Sequence, residues 1–303
     1  MKKEKKHISE EKKLRRMRTS SGARRHIRSL GGNILIGVIL ALVGAFLALP
    51  LVYAVVTAIK PIDELFIFPP RFFVRNPTLD NFTDLIDLCA NGRIPFTKYL
   101  FNSIFISVCY TVLQVFFSSA AAYPLAKIDF PGRELYFKVI VTSLLFTTTV
   151  TQLPIYIILS EMGLVDSYWA MILPPLGGTM SVFLMKQFME QIPGAIIEAA
   201  RIDGCNEFKV FFKIIIPNVK PAWLTLIIFA FQAIWNAQSG ILIFREDLRP
   251  LPTMISQIVT GNGIARAGAG SAATVFLMIP PIVLFILTQS GVMETMANAA
   301  IKE

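Results

Sequence analysis

Histidine is almost absent from this 303-residue chain: His7 and His26 are the only two, both near the amino terminus. The remaining 275 residues after position 28 therefore offer no imidazole for a metal site or a catalytic base. Cysteine is equally scarce. Cys89, Cys109 and Cys205 are far apart, and no C-x-x-C occurs, so neither a disulfide framework nor a zinc ribbon is encoded. No G-x-x-x-x-G-K-[ST] is present, which excludes a P-loop for ATP in this chain. The glycines between Gly261 and Gly270 follow no strand and read as a loop. These absences argue against an enzyme: no catalytic residue, no metal and no cofactor are expected in this chain.

Charge is the other shortage. Only 16% of residues are charged and 54% are hydrophobic, against about 25% charged in an ordinary soluble domain. The net charge is +9, and it is local. Residues 1–28 hold 12 of the 29 Lys/Arg and 3 of the 20 Asp/Glu, leaving 17 of each sign for the rest. The sequence thus divides into a basic tail, 1–29, and a neutral apolar body, 30–303. The tail has no aromatic residue for base stacking, and the body carries no excess charge. No nucleic acid is expected as a partner; a lipid bilayer is.

Six windows free of Asp, Glu, Lys and Arg lie in the body. They comprise 31 residues after Arg28, 28 after Lys98, 22 after Lys138, 19 after Asp166, 24 after Lys220 and 27 after Arg266. Crossing a bilayer core takes about 20 apolar helical residues, so the windows predict an all-α membrane protein with six transmembrane helices. A seventh run, after Arg249, has only 16 residues and contains Pro250, Pro252, Gly261, Asn262 and Gly263; it reads as a loop. With the amino terminus inside, internal segments hold 21 Lys/Arg and external ones 8. The positive-inside rule favours that orientation, which makes both termini cytoplasmic.

The internal segment 186–220 is too long for a simple connector. Pro193 suits the first turn of a helix. Ile196, Ile197 and Ala200 form an apolar stripe, while Glu198, Arg201 and Asp203 point elsewhere. Gly204 is placed to end that helix with positive φ. A second amphipathic run, Glu207 to Ile216, stops before Pro217. Two short helices around a glycine turn follow.

Glu198-Ala199-Ala200, three residues, Gly204, nine residues, then Ile214-x-Ile216-Pro217 resembles the EAA loop of ABC-transporter permeases, with Ile216 where that family has Leu. Further stretches are similar to the carbohydrate branch: Pro77-Thr78-Leu79-Asp80-Asn81-Phe82, Asn102-Ser103, Ala122 to Lys127, and Gly163 to Ala170. Trp235-Asn236 continues as Ala237-Gln238-Ser239-Gly240, a departure from the aromatic stretch usual there. Together they resemble a type I permease subunit of the multiple-sugar, maltose-transporter-like class.

That resemblance implies the type I permease fold in a bacterial-type plasma membrane. It implies a second homologous permease subunit, two ABC ATPase subunits that hold ATP and Mg, and an extracytoplasmic solute-binding protein. Glu198, Ala199, Ala200, Arg201, Asp203, Gly204, Ile214 and Pro217 would then belong to the loop that docks on an ATPase. Gln114, Gln152, Gln232, Trp235 and Asn236 are polar or aromatic groups in or near apolar windows, where they line a sugar path or bond between helices. The alternatives are a permease for a non-sugar solute and a secondary transporter; the charge-free windows count against ion coupling in the latter.

Overall fold

The computed structural model describes residues 30–90, 94–146, 148–262 and 267–300. The basic tail, 1–29, lies outside the described residues. All regular elements among them are helical. They fall into two compact units, one ending at Val52 and one starting at Tyr53.

The first unit is the bulk of helix α1 (Leu30–Ala58), a glycine- and leucine-rich run with Pro50 inside it. Its large side chains from Ile34 to Val52 are mostly exposed, the expected pattern for a helix surrounded by lipid or by another membrane subunit.

The second unit is built on helix α4 (Phe96–Lys127), preceded by α2 (Ile62–Leu65) and α3 (Asp80–Ala90). Pro95, in an extended conformation, starts α4, and Ile128 ends it by donating its N–H to the Pro124 carbonyl. Then come α5 (Arg133–Ser143), α6 (Thr148–Glu161), α7 (Tyr168–Ile172), α8 (Thr179–Glu190) and α9 (Gly194–Ile202). Next are α10 (Glu207–Val210), a π turn (Phe211–Ile215), α11 (Ile216–Asn218) and α12 (Lys220–Trp235). A 3₁₀ turn (Glu246–Leu248), α13 (Leu251–Asn262) and α14 (Ala267–Ala300) complete the chain. Helix α4 packs against α8 and α12, and α12 packs against α14.

Among the described residues, three helices are long and apolar enough to cross a membrane: Ile34–Ala58, Phe96–Lys127 and Ala267–Gln289. A fourth span arises if Glu207–Asn218 and Lys220–Trp235, bent by 79°, count as one. The other two windows hold shorter helices, and the sequence shows why. In the third, α5 ends at Ser143 and α6 starts only at Thr148, at the head of Thr148-Thr149-Val150-Thr151, a β-branched run of low helix propensity. Just before it, Ser143 Oγ donates back to the Val139 carbonyl at 2.7 Å, a bond that bends helices. The fourth window contains Pro174, Pro175 and Gly177, the last at φ 73°, so α7 stops and α8 restarts after Gly178.

The segment after Arg249, expected to be a loop, is the helix α13. Pro250 and Pro252 sit just before it and in its first turn, where a missing N–H is harmless. Leu251, Met254, Ile255 and Ile258, at helical spacing, are buried against Leu85, Phe96, Ala269 and Ala272. Asn102 and Ser103 explain how this segment reaches the bundle. Asn102 Nδ2 donates to the carbonyls of Asp247 and Arg249 at 2.9 Å each. Ser103 Oγ accepts from Leu251 N at 2.7 Å. Asp166, with φ 62°, accepts the N–H of Arg245 at 2.9 Å.

Buried Asn81 donates to the carbonyls of Ala58 and Lys60 at 2.8 and 2.7 Å. A methyl group added at Gly268 would fall on its amide. Gly268→Ala is therefore expected to lower stability by about 1–3 kcal/mol, as overpacking does, read as an earlier thermal unfolding midpoint in detergent.

Candidate functional site

The segment 186–220 folds as a braced protrusion. Pro193, extended at φ −60° and ψ 134°, is the residue before α9 rather than its first. Helix α9 buries Ile197 and Ala200, while Ile196 is exposed, so the stripe is narrower than the sequence suggests. Gly204 has φ 80°. The N–H of Gly204 donates to Arg201 O and that of Cys205 to Ala200 O, both at 3.0 Å; these close the turn that reverses the chain. Asn206 Oδ1 then caps α10 by accepting Lys209 N at 2.9 Å.

The second helix does not stop before Pro217. It widens into the π turn at Phe211–Ile215 and continues through Ile214 and Pro217 to Asn218. Val210, Phe211, Ile215 and Val219 are buried with Tyr123, Ala126, Met185 and Met189 in one apolar cluster. The cluster ties the protrusion to the ends of α4 and α8.

A polar brace lies beside it. Tyr123 Oη donates to Glu207 Oε2 at 2.5 Å, and Arg201 Nε donates to Glu207 Oε1 at 2.9 Å. Lys127 Nζ donates to the carbonyls of Glu190 and Ile192 at 3.1 and 2.6 Å, binding the end of α4 to the start of the protrusion. The hydrogen bonds from Tyr123 and then Arg201 lower the pKa of the Glu207 carboxyl from its ordinary 4.5. The same carboxylate raises that of Arg201. Glu207 and Tyr123 were not singled out from the sequence, because 84 positions separate them.

Outward, the protrusion leaves two large apolar side chains uncovered. Ile202 is 86% exposed and Phe208 76%, one on each side of the Gly204 turn. Glu198, Ala199, Arg201 and Asp203 are exposed as well.

The five polar or aromatic groups named in the apolar windows do not form one lining. Gln114 is fully buried and accepts the Gly177 N–H at 2.9 Å, holding the break between α7 and α8. Trp235 is buried, stacks on Phe231 at 5.5 Å, and donates from Nε1 to the Leu277 carbonyl at 2.9 Å; it joins α12 to α14. Gln152, Gln232 and Asn236 are exposed. Gln232 lies on α12 and Asn236 one turn on, just past its end, and Gln152 lies near Gly240.

Residues 98–292, which include the whole protrusion, match the family described as the binding-protein-dependent transport system inner membrane component. The chain belongs to this family. Protein LplC of Bacillus subtilis (strain 168) is 33% identical over 234 residues, covering 73% of this chain and 75% of that protein. The arabinooligosaccharides transport system permease protein AraQ of the same organism is 31% identical over 229 residues, covering 74% and 79%. A chain of a bacterial ABC transporter involved in import of the acidic polysaccharide alginate matches with TM-score 0.71 at 21% identity. It covers 86% of this chain and 98% of that one, so the type I permease fold is shared.

In this permease component the brace gives a direct prediction. Glu207→Gln keeps the shape but removes the charge received by Tyr123 and Arg201. Hydrogen bonds to charged groups contribute about 1.5–3 kcal/mol when shielded, and exposed ion pairs about 0.2–1. Glu207 is about half exposed, so a loss of about 1 kcal/mol is expected in unfolding experiments. The lowered carboxyl pKa fixes the sign with pH. The contribution is complete above the ordinary carboxylate pKa and fades as pH falls through the lowered one. The difference from Glu207→Gln should shrink accordingly on acidification.

Proposed function

We propose that this chain is one permease subunit of an ATP-driven importer for a sugar or oligosaccharide, and that 186–220 is its coupling loop. One observation carries the reading: Ile202 and Phe208 stand exposed on either side of Gly204, on a protrusion braced from behind by Tyr123, Glu207 and Arg201. An apolar pair on a rigid mount, rimmed by Glu198, Arg201 and Asp203, suits a groove in an ABC ATPase. ATP and Mg belong to two such partner subunits. Closure of the ATPase dimer pushes the protrusion, and α4, α8 and α12 switch between two arrangements.

Six crossings with both termini cytoplasmic remain the proposed topology, in a bacterial plasma membrane. The broken pairs α5–α6 and α7–α8 supply the third and fourth crossings and α12 the fifth. Interrupted helices at membrane depth are tolerated where neighbours satisfy the backbone, as Gln114 does for Gly177. A second homologous permease subunit covers the exposed apolar helix faces, and an extracytoplasmic solute-binding protein delivers the cargo. Gln152, Gln232 and Asn236 are the proposed cargo-facing groups, with Gln114 and Trp235 shaping the path from behind. The sugar assignment is supported by relatives named for arabinooligosaccharides and by the alginate importer.

Purifying the chain from its native membrane with its bound proteins tests the reading. Co-purified ABC ATPases and a second permease are expected, and the ligand of the associated binding protein should be a saccharide. Recovery with no ATPase refutes the coupling role; a non-sugar ligand refutes the cargo.

A further inference from the structure

The segment between Ile59 and Thr78 is held together by polar contacts and leaves large aromatic side chains uncovered. Inside, it is closed by polar contacts. Thr78 N donates to Ile59 O at 3.0 Å. Buried Lys60 donates from Nζ to the Arg71 carbonyl. Glu64 accepts the N–H groups of Arg75 and Asn76 at 3.1 Å each. Phe72 turns back, its ring 5.8 Å from that of Tyr53 near the end of α1. Outside are aromatic rings: Phe68 is 91% exposed, Phe73 77%, and Phe66 half exposed. Leaving such a ring in water forgoes about 1.5–3 kcal/mol of burial. A clustered set of them marks a contact surface.

The occupant is indicated by place and charge. Ile59 directly follows Ala58, where the membrane-crossing helix ends, so the loop emerges at the boundary of the bilayer. From Phe66 to Asn76 the only charged residues are Arg71 and Arg75, both exposed. Rings flanked by arginines of one sign match the join between acyl chains and phosphates. The surface around Ile202 and Phe208 differs, since it mixes acids and bases as a protein rim does.

We propose that residues 59–78 form an interfacial anchor, which sinks Phe66, Phe68 and Phe73 into the lipid headgroup boundary with Arg71 and Arg75 at phosphate level. Its assignment to the extracytoplasmic leaflet rests on the topology proposed above; its insertion does not. The anchor would hold the end of α1 at fixed depth while the rest of the subunit moves.

The test uses the complete transporter in phosphatidylcholine proteoliposomes, with Cys89, Cys109 and Cys205 replaced by serine. Nitroxide labels are placed at Phe68→Cys, at Phe73→Cys, and at Asp84→Cys as a control on the exposed face of α3. Collisions with lipid-soluble oxygen are expected to exceed those with a water-soluble nickel chelate at 68 and 73, and the ratio should reverse at 84. Nickel dominance at 68 and 73 places the rings in water and overturns the anchor. Immobilised labels reached by neither reagent mean that a protein covers the loop, which also overturns it. An impermeant thiol reagent on intact cells should label Asp84→Cys. If it does not, the topology falls, while the collision ratios still decide insertion.

Discussion

Replacing Gly204 with valine is expected to abolish coupled transport while leaving membrane insertion intact. The residue has φ 80°, and a side chain there would meet nothing within 4 Å. The cost is therefore backbone strain alone: about 1–2 kcal/mol for an ordinary L-residue in that region, and more for a β-branched one. Relief of the strain requires the turn to change conformation, which alters how Ile202 and Phe208, on its two sides, are presented. Roughly a tenfold loss of the docked arrangement follows from each 1.4 kcal/mol, and a rigid push transmitted through that turn disappears with it. Transport and cargo-stimulated ATP hydrolysis in reconstituted complexes should both collapse. Gly204→Asn, which tolerates positive φ, should retain most of the activity. Survival of transport-dependent ATPase activity in Gly204→Val would remove the loop from its role as a lever.

Ile202→Asp and Phe208→Asp should act differently, by separating the subunits. Both side chains are exposed, so the isolated permease should fold and insert as before, with surface changes worth less than about 0.5 kcal/mol. In the assembled transporter each would bury a carboxylate in place of an apolar anchor. Anchors of this kind typically cost about 2 kcal/mol or more when truncated, roughly a thirtyfold weakening, and a buried unpaired charge adds to that. ATPase subunits should no longer co-purify in high-salt buffer. Equal recovery of ATPases with wild type and both variants would show that the docking surface lies elsewhere on the chain.

The two predictions differ in how far their residues were visible beforehand. The Gly204 turn is local: Pro193 and Gly204 bracket α9 by their own backbone preferences, and the spacing alone located the turn. The exposure of Ile202 and Phe208 was not visible, because isoleucine and phenylalanine in an amphipathic stretch read equally well as core. Only the packing of Val210, Phe211 and Ile215 against Tyr123 and Met189 shows which apolar side chains are left over. Glu207 was hidden for a similar reason, as its partner Tyr123 belongs to a distant helix.

The breaks in the membrane helices were legible in part. Pro174, Pro175 and Gly177 announce an interruption, yet a count of charges passes over them because none is charged. Prolines misled in the opposite sense at Pro250 and Pro252, where the apolar spacing of Leu251, Met254, Ile255 and Ile258 was the better guide. Gln114 and Trp235 show the limit for polar groups in apolar surroundings: their type says they need a partner, and only the fold supplies its identity, the Gly177 N–H and the Leu277 carbonyl.

By itself the sequence determined that this is an apolar helical chain with its excess positive charge gathered in a tail, that it contains no P-loop motif, and where its sharp turn lies. Those properties follow from composition, from local backbone sterics and from lipid solvation, each of which acts on neighbouring residues. Tertiary structure alone decided which apolar side chains remain uncovered at 202 and 208, what braces them, and that the loop at 59–78 leaves Phe68 and Phe73 outside. Burial and hydrogen-bond pairing are properties of groups brought together from distant positions, and no local pattern encodes who the partner will be.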